Sequence, residues 1–168
     1  IKGVTFVPLE VTTDDASLID GVYDYAVTDR YIYVFPVKEP RIVLFDRQGR
    51  FIRTLVKEGQ GPGEFRGILP CIQVDERNDR LFLFSNNRVW EYTLEGEFIG
   101  QSTHEYSVIY MRHIGKDRFA AISFPFQPFN GGGFGLGLFS RKGDTIAIKN
   151  DFYSFLLPHE KSGFTTSI

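Results

Sequence analysis

Three short turns recur at a fixed interval and leave this chain few ways to fold. The segments Phe45–Ile52 (FDRQGRFI), Tyr92–Ile99 (YTLEGEFI) and Phe139–Ile146 (FSRKGDTI) align, with glycines at 49, 96 and 143, two intervals of 47 residues. A glycine held at one place in a short loop between alternating apolar runs fits the left-handed residue of a hairpin turn. A second element recurs upstream of each turn, as Asp29-Arg30, Asp79-Arg80 and Asp117-Arg118, each leading an apolar run. Its spacing is less even, which places the length variation in the intervening loops.

Each repeat reads as four strands. The expected spans are 22–27, 31–35, 41–45 and 51–56, then 72–75, 80–84, 88–92 and 98–102, then 108–113, 118–124, 134–139 and 145–149. No window has the apolar period of a helix. The 17 Phe, 8 Tyr and 17 Gly fit the same picture, since aromatics favour strands and glycine favours tight turns. Four short strands repeating at this period are the signature of β-propeller blades. The fold class is therefore all-β, with three blades at about 21–58, 67–103 and 106–150 in one partial domain spanning 1–168. Residues 1–20 read as an outer strand, Val4–Val11, and a polar linker, with Pro8 confining the strand to an edge. Residues 151–168 read as the lead-in to a further blade.

The segments DRYIYVF (29–35), RIVLFDRQGRFIRTLVKEGQGPGEF (41–65) and IQVDERNDRLFLF (72–84) carry a resemblance. With VWEYTLEGEFIGQ (89–101) they resemble the NHL-type six-bladed propellers, and more closely the 6-bladed β-propeller family of Bacteroidetes. A segment such as Phe6–Glu10 opens the domain in that family. The similarity covers about residues 4–150, and Gly59–Phe65 (GQGPGEF) is its most distinctive part. It implies about half of a six-bladed ring, export to the periplasm or cell surface, and a lipid anchor before processing. The third repeat departs from the pattern at Ala120-Ala121 and in the glycine-rich loop that follows.

Three blades cannot close a ring, because propellers close with 4–8. The expected partners are therefore the remainder of the same propeller, or a second half-ring from another copy. No signal peptide and no initiating Met are present, which reads as a processed or partial chain. No stretch approaches the roughly 20 apolar residues of a membrane helix. The net charge of −2, without a basic block, gives no reason to expect nucleic acid.

In a four-stranded meander the second-to-third loops and the blade-to-blade connectors share one end, and the other loops share the opposite end. Gln60 and Glu64 of the connector, Asn86 and Asn87 of a hairpin turn, and the loop after Ser123 thus fall on one face. That loop holds Phe124, Phe126, Phe129, Asn130 and Phe134 between Pro and Gly breakers, an aromatic lip for a protein or a glycan. Gly59–Phe65 has the glycines of an anion nest but lacks the following Lys-Ser/Thr pair, and Pro62 removes a donor. It reads better as a connector, anchored by Phe65 between blades, with Glu64 paired to Lys57 or Arg66.

Catalytic and metal patterns are missing from the sequence. His104, His113 and His159 stand in unrelated contexts without ligand spacing, and Cys71 lies in an apolar run with no base beside it. The acidic turn Asp75, Glu76, Asn78 and Asp79 could touch Ca²⁺ but lacks calcium-loop spacing, so no cofactor is expected. The function expected is a non-enzymatic, exported binding or scaffold module for a protein or glycan. The alternative is an exported hydrolase or lyase with a metal in the propeller channel, its catalytic residues in blades outside this chain.

Overall fold

Apolar alternation between glycine and Asx turns yields strands wherever the repeat places them. The computed structural model describes residues 3–13, 16–66, 71–106, 108–123 and 135–149, and among these lie twelve strands and no α-helix. The first sheet contains β1 (Val22–Val27), β2 (Tyr31–Pro36), β3 (Arg41–Asp46) and β4 (Phe51–Lys57). The second contains β5 (Cys71–Asp75), β6 (Arg80–Ser85), β7 (Arg88–Tyr92) and β8 (Phe98–Thr103). The third contains β9 (Tyr110–His113), β10 (Arg118–Ile122), β11 (Leu136–Ser140) and β12 (Thr145–Lys149). Each is an antiparallel meander with its strands in chain order. Between sheets the main strand contacts are β1 with β5 and β5 with β9. The sheets therefore fan outwards from their first strands, as propeller blades do.

The repeat glycines have the backbone that the sequence requires of them. Gly49, Gly96 and Gly143 adopt φ of 83°, 88° and 103°, where an L side chain is strained. Asp79, Asn86 and Asp117, all at turns, reach φ of 53–55°, which Asn and Asp tolerate better than other non-glycine residues.

Packing explains why the strands differ in texture. β6 (RLFLFS) is an unbroken apolar run because the second blade is covered on both faces. Leu81 and Leu83 join Trp90 and Tyr92 against Tyr33, Phe35, Ile42 and Leu44 of the first blade. Phe82 and Phe84 turn the other way and meet Met111, Phe119, Ala121 and Phe139 of the third. β10 (RFAAI) alternates instead, because only Phe119 and Ala121 face a neighbouring blade. On its other side Tyr110, Ile122 and Leu136 form one cross-strand row, 40%, 36% and 38% exposed. The small residues Ala120-Ala121 thus sit in a four-stranded sheet like the other two, and at these two positions the departure of the third repeat is one of side-chain size. Residues 124–134, which include the ends of two expected strands, lie outside the described residues.

One expectation is corrected. The run Val4–Val11, read as an outer strand, joins none of the three sheets. It lies across the outer face of the first blade, where Leu9 packs on the cluster of Val34, Val43 and Phe45, beside Ile19 and Phe51. It is tied by the Glu10 amide donating to the Gly49 carbonyl at 2.8 Å and the Phe51 amide donating to Glu10 Oε2 at 2.8 Å.

Phe65 joins the first two blades. It is fully buried between Phe35, 5.7 Å away by ring centroids, and Trp90, 6.4 Å away. Removing a buried phenyl ring costs its transfer energy and leaves a cavity. Phe65→Ala is expected to lower stability by about 3–5 kcal/mol in urea unfolding, whereas Phe98→Ala, at a residue 43% exposed, is expected to cost less than about 1 kcal/mol.

Candidate functional site

The connector from the first blade to the second forms a closed loop. Its neck is made where the Glu58 amide donates to the Pro40 carbonyl at 2.9 Å and the Gly59 amide to the Phe65 carbonyl at 3.1 Å. Glu64 fills the middle: its amide donates to the Gly61 carbonyl, and its Oε2 accepts the Gly61 amide at 2.8 Å. A Cβ on Gly59 would lie 1.8 Å from that carboxylate oxygen, so the glycine makes room for it. Glu64 thus pairs with a backbone amide, and the expected pairing with Lys57 or Arg66 is not formed. Arg66 Nε donates to the Gly59 carbonyl at 3.3 Å. A backbone amide satisfies the half-buried carboxylate without ordering a long side chain.

The loop stands over β7 and β8 and leaves a cleft of about 500 Å³. Gln60, Glu64, Arg66, Arg88, Phe98 and Gln101 line it. Glu64 is spent on the loop itself. Gln60, Arg88 and Gln101 make no side-chain hydrogen bond among the described residues, and beside them Phe98 presents an exposed ring. The cleft therefore offers amide and guanidinium donors, two amide oxygen acceptors and an apolar surface.

Asn86 and Asn87 do not line this cleft. They form the β6–β7 turn and hold the next connector. The Asn87 carbonyl accepts the His104 amide at 2.7 Å, Asn87 Nδ2 donates to the His104 carbonyl at 3.2 Å, and the Asn86 carbonyl accepts the Val108 amide at 3.0 Å. Of the expected face, then, Gln60 and Glu64 share a cleft and the two asparagines serve the chain path. Phe124, Phe126, Phe129, Asn130 and Phe134 lie outside the described residues.

A second cleft, about 590 Å³, opens between the second and third blades near their hairpin turns. It borders Glu91, a buried carboxylate that sequence reasoning passed over. Arg80 Nε lies 2.7 Å from Glu91 Oε1, Arg141 Nε donates to Oε2 at 2.7 Å, and Arg141 also holds Asp117 at 3.3 Å. The available signal was a charge inside an apolar strand between Trp90 and Tyr92, which needs a paired partner. These charges satisfy one another, so the cluster joins blades. Gln73 adds a further tie, donating to the His113 carbonyl at 2.8 Å and accepting the His113 amide. The acidic turn likewise closes on itself, with Asn78 Nδ2 donating to Asp75 and the Leu94 amide to Asp79. Among the described residues no three His, Cys, Asp or Glu side chains gather to hold a metal. Cys71 is half-buried, and burial raises its thiol pKa, with the neighbouring Asp24 charge adding to the rise.

His104 is the buried polar group with the clearest consequence. Its ring is 1% exposed, edge-on to Phe119 and Phe139, and neither nitrogen has a partner among the described residues. Burial pushes its pKa down from 6.5 to about 4. Between those values the unfolded chain binds a proton that the folded chain refuses, so stability is complete above pH 6.5 and falls as the pH drops towards 4. Between pH 7 and pH 5 the wild-type chain is expected to lose about 2 kcal/mol more than His104→Leu, read from urea midpoints at the two pH values.

Comparison with known proteins follows the same lines as the fold. The family described as "Domain of unknown function (DUF4934)" matches residues 1–167, and the chain belongs to it. Among solved structures, a "Putative exported protein" of Bacteroides fragilis is similar at a TM-score of 0.69 and 18% identity, over 84% of this chain and 40% of that one. A Bacteroides caccae protein of unknown function is similar at 0.51 and 10% identity, over 72% of this chain and 46% of that one. A functionally unknown protein of Desulfotomaculum acetoxidans is similar at 0.52 and 12% identity, over 83% and 48%. The chain thus spans less than half the length of each, and at these identities the likeness is one of fold. No curated protein matches the chain.

Proposed function

We propose that this member of the DUF4934 family is the blade-bearing part of an exported, non-enzymatic six-bladed β-propeller that binds a glycan. The carrying observation is the cleft under the Gly59–Phe65 connector, where polar side chains with no hydrogen-bond partner among the described residues stand beside an exposed ring. A sugar ring has an apolar C–H face and a rim of hydroxyls that both donate and accept. Phe98 suits the face, and Gln60, Arg88 and Gln101 suit the rim. The volume of about 500 Å³ falls within the range of small-ligand sites. Export is supported by the description of the Bacteroides fragilis protein. The propeller reading is supported by the three fanned sheets and by the greater length of the similar chains.

Binding of the complete protein to an array of soluble and cell-wall glycans tests this reading. A saturable ligand is expected, with affinity falling at least about ten-fold in Phe98→Ala and in Gln60→Ala combined with Gln101→Ala, equivalent to about 1.4 kcal/mol or more. Binding that is indifferent to these substitutions, or a complete protein that binds only other proteins, overturns it.

A further inference from the structure

Arginines that span two blades are matched by carboxylates: Arg30 by Glu76, Arg53 by Glu95 and Arg141 by Glu91. Arg66 and Arg88, both lining the cleft under the Gly59–Phe65 connector, form no ion pair among the described residues. Arg66 spends its Nε on the Gly59 carbonyl at 3.3 Å and leaves its terminal nitrogens to the cleft. The acid that lines the same cleft, Glu64, has its Oε2 on the Gly61 amide at 2.8 Å and closes the loop instead of meeting an arginine. Two guanidinium groups thus face one carboxylate in a concave site, and a concavity lined by one sign of charge concentrates ligands of the other.

We infer, resting on the glycan reading of this cleft, that its ligand is an acidic oligosaccharide whose uronate carboxylate is received by Arg88, with Arg66 adding positive charge. The strand register sets the length of that ligand. Arg88 opens β7 opposite Thr103, whereas Phe98 opens β8, five residues away along the same strand. That is about 17 Å of extended backbone. Gln101 lies between them, opposite Trp90. A single sugar ring does not span that distance, so the ligand is a disaccharide or longer, with a ring face on Phe98 and the charged residue at the Arg88 end. The flat guanidinium matches a planar carboxylate with two parallel hydrogen bonds, which a sugar hydroxyl cannot supply. Gln60 and Gln101 serve the hydroxyls of the rings between.

Calorimetric titration of the complete protein with uronate-containing oligosaccharides, and with the same oligosaccharides after carboxyl reduction to neutral sugars, tests this. The acidic form is expected to bind at least about ten-fold more tightly than its neutral counterpart. That margin is expected to narrow between about 0.05 M and 0.5 M NaCl, because the arginines are exposed to screening. Arg88→Gln is expected to shrink the margin to about two-fold or less, and Arg66→Gln to shrink it by a smaller amount. Phe98→Ala is expected to weaken both forms alike and keep the margin. Equal affinity for the two forms, with binding still dependent on Phe98, overturns the acidic ligand and leaves the glycan reading standing. A margin that survives in the double variant Arg66→Gln, Arg88→Gln also overturns it. Binding of no glycan, acidic or neutral, overturns both.

Discussion

A four-stranded sheet has two apolar faces and can satisfy only its own backbone. Within each blade the meander pairs one strand with the next, so hydrogen bonding is largely settled locally. What remains is to cover the faces, and the molecule is organised by how that is done. The second blade is covered on both sides by its neighbours, the first by the second blade and the N-terminal segment, and the third on one side by the second blade. Aromatic residues dominate these seams because one ring fills the gap between two twisted sheets with little side-chain entropy lost.

Polar groups at the seams set orientation. Glu91 accepts from Arg80 of its own blade and Arg141 of the next, and Gln73 grips the backbone of His113 across the same seam. Buried ion pairs contribute little net stability against their desolvation, but each fixes one relative placement of the blades. Val56, one residue before the end of β4, and His104, one residue after the end of β8, each pack on the blade that follows. A position that needs only shape accepts either residue, and the imidazole adds a dependence on pH that the aliphatic side chain lacks.

The two ends of the blades have different duties. At the hairpin end, Arg30 pairs with Glu76, and Arg80, Arg141 and Asp117 join the Glu91 cluster. At the connector end, Phe65 and the two asparagines hold the chain path, and the polar residues left over line the cleft with Phe98. Unused donors and acceptors remain only where the loop has not engaged them, which is why Gln60 lines the cleft while Glu64, close beside it, is spent on the loop.

The sequence by itself determined the strands, the meander and the end to which each loop goes, because strand period and glycine conformation are local properties of the chain. It also placed Phe65 between blades, since a large ring after a Gly-Pro-Gly break has nowhere else to be buried. Glu64 was legible as a residue needing a partner, but its choice of a backbone amide depended on the closure of the loop. Glu91, His104 and the cleft beside Phe98 were decided only by the tertiary structure. Each depends on which residues of one blade face another, and that follows from the twist and stacking of whole sheets. The same holds for the N-terminal segment, whose alternation spelled a strand. Only its contacts with Gly49 and with the cluster of Val34, Val43 and Phe45 showed that it lies across the first blade.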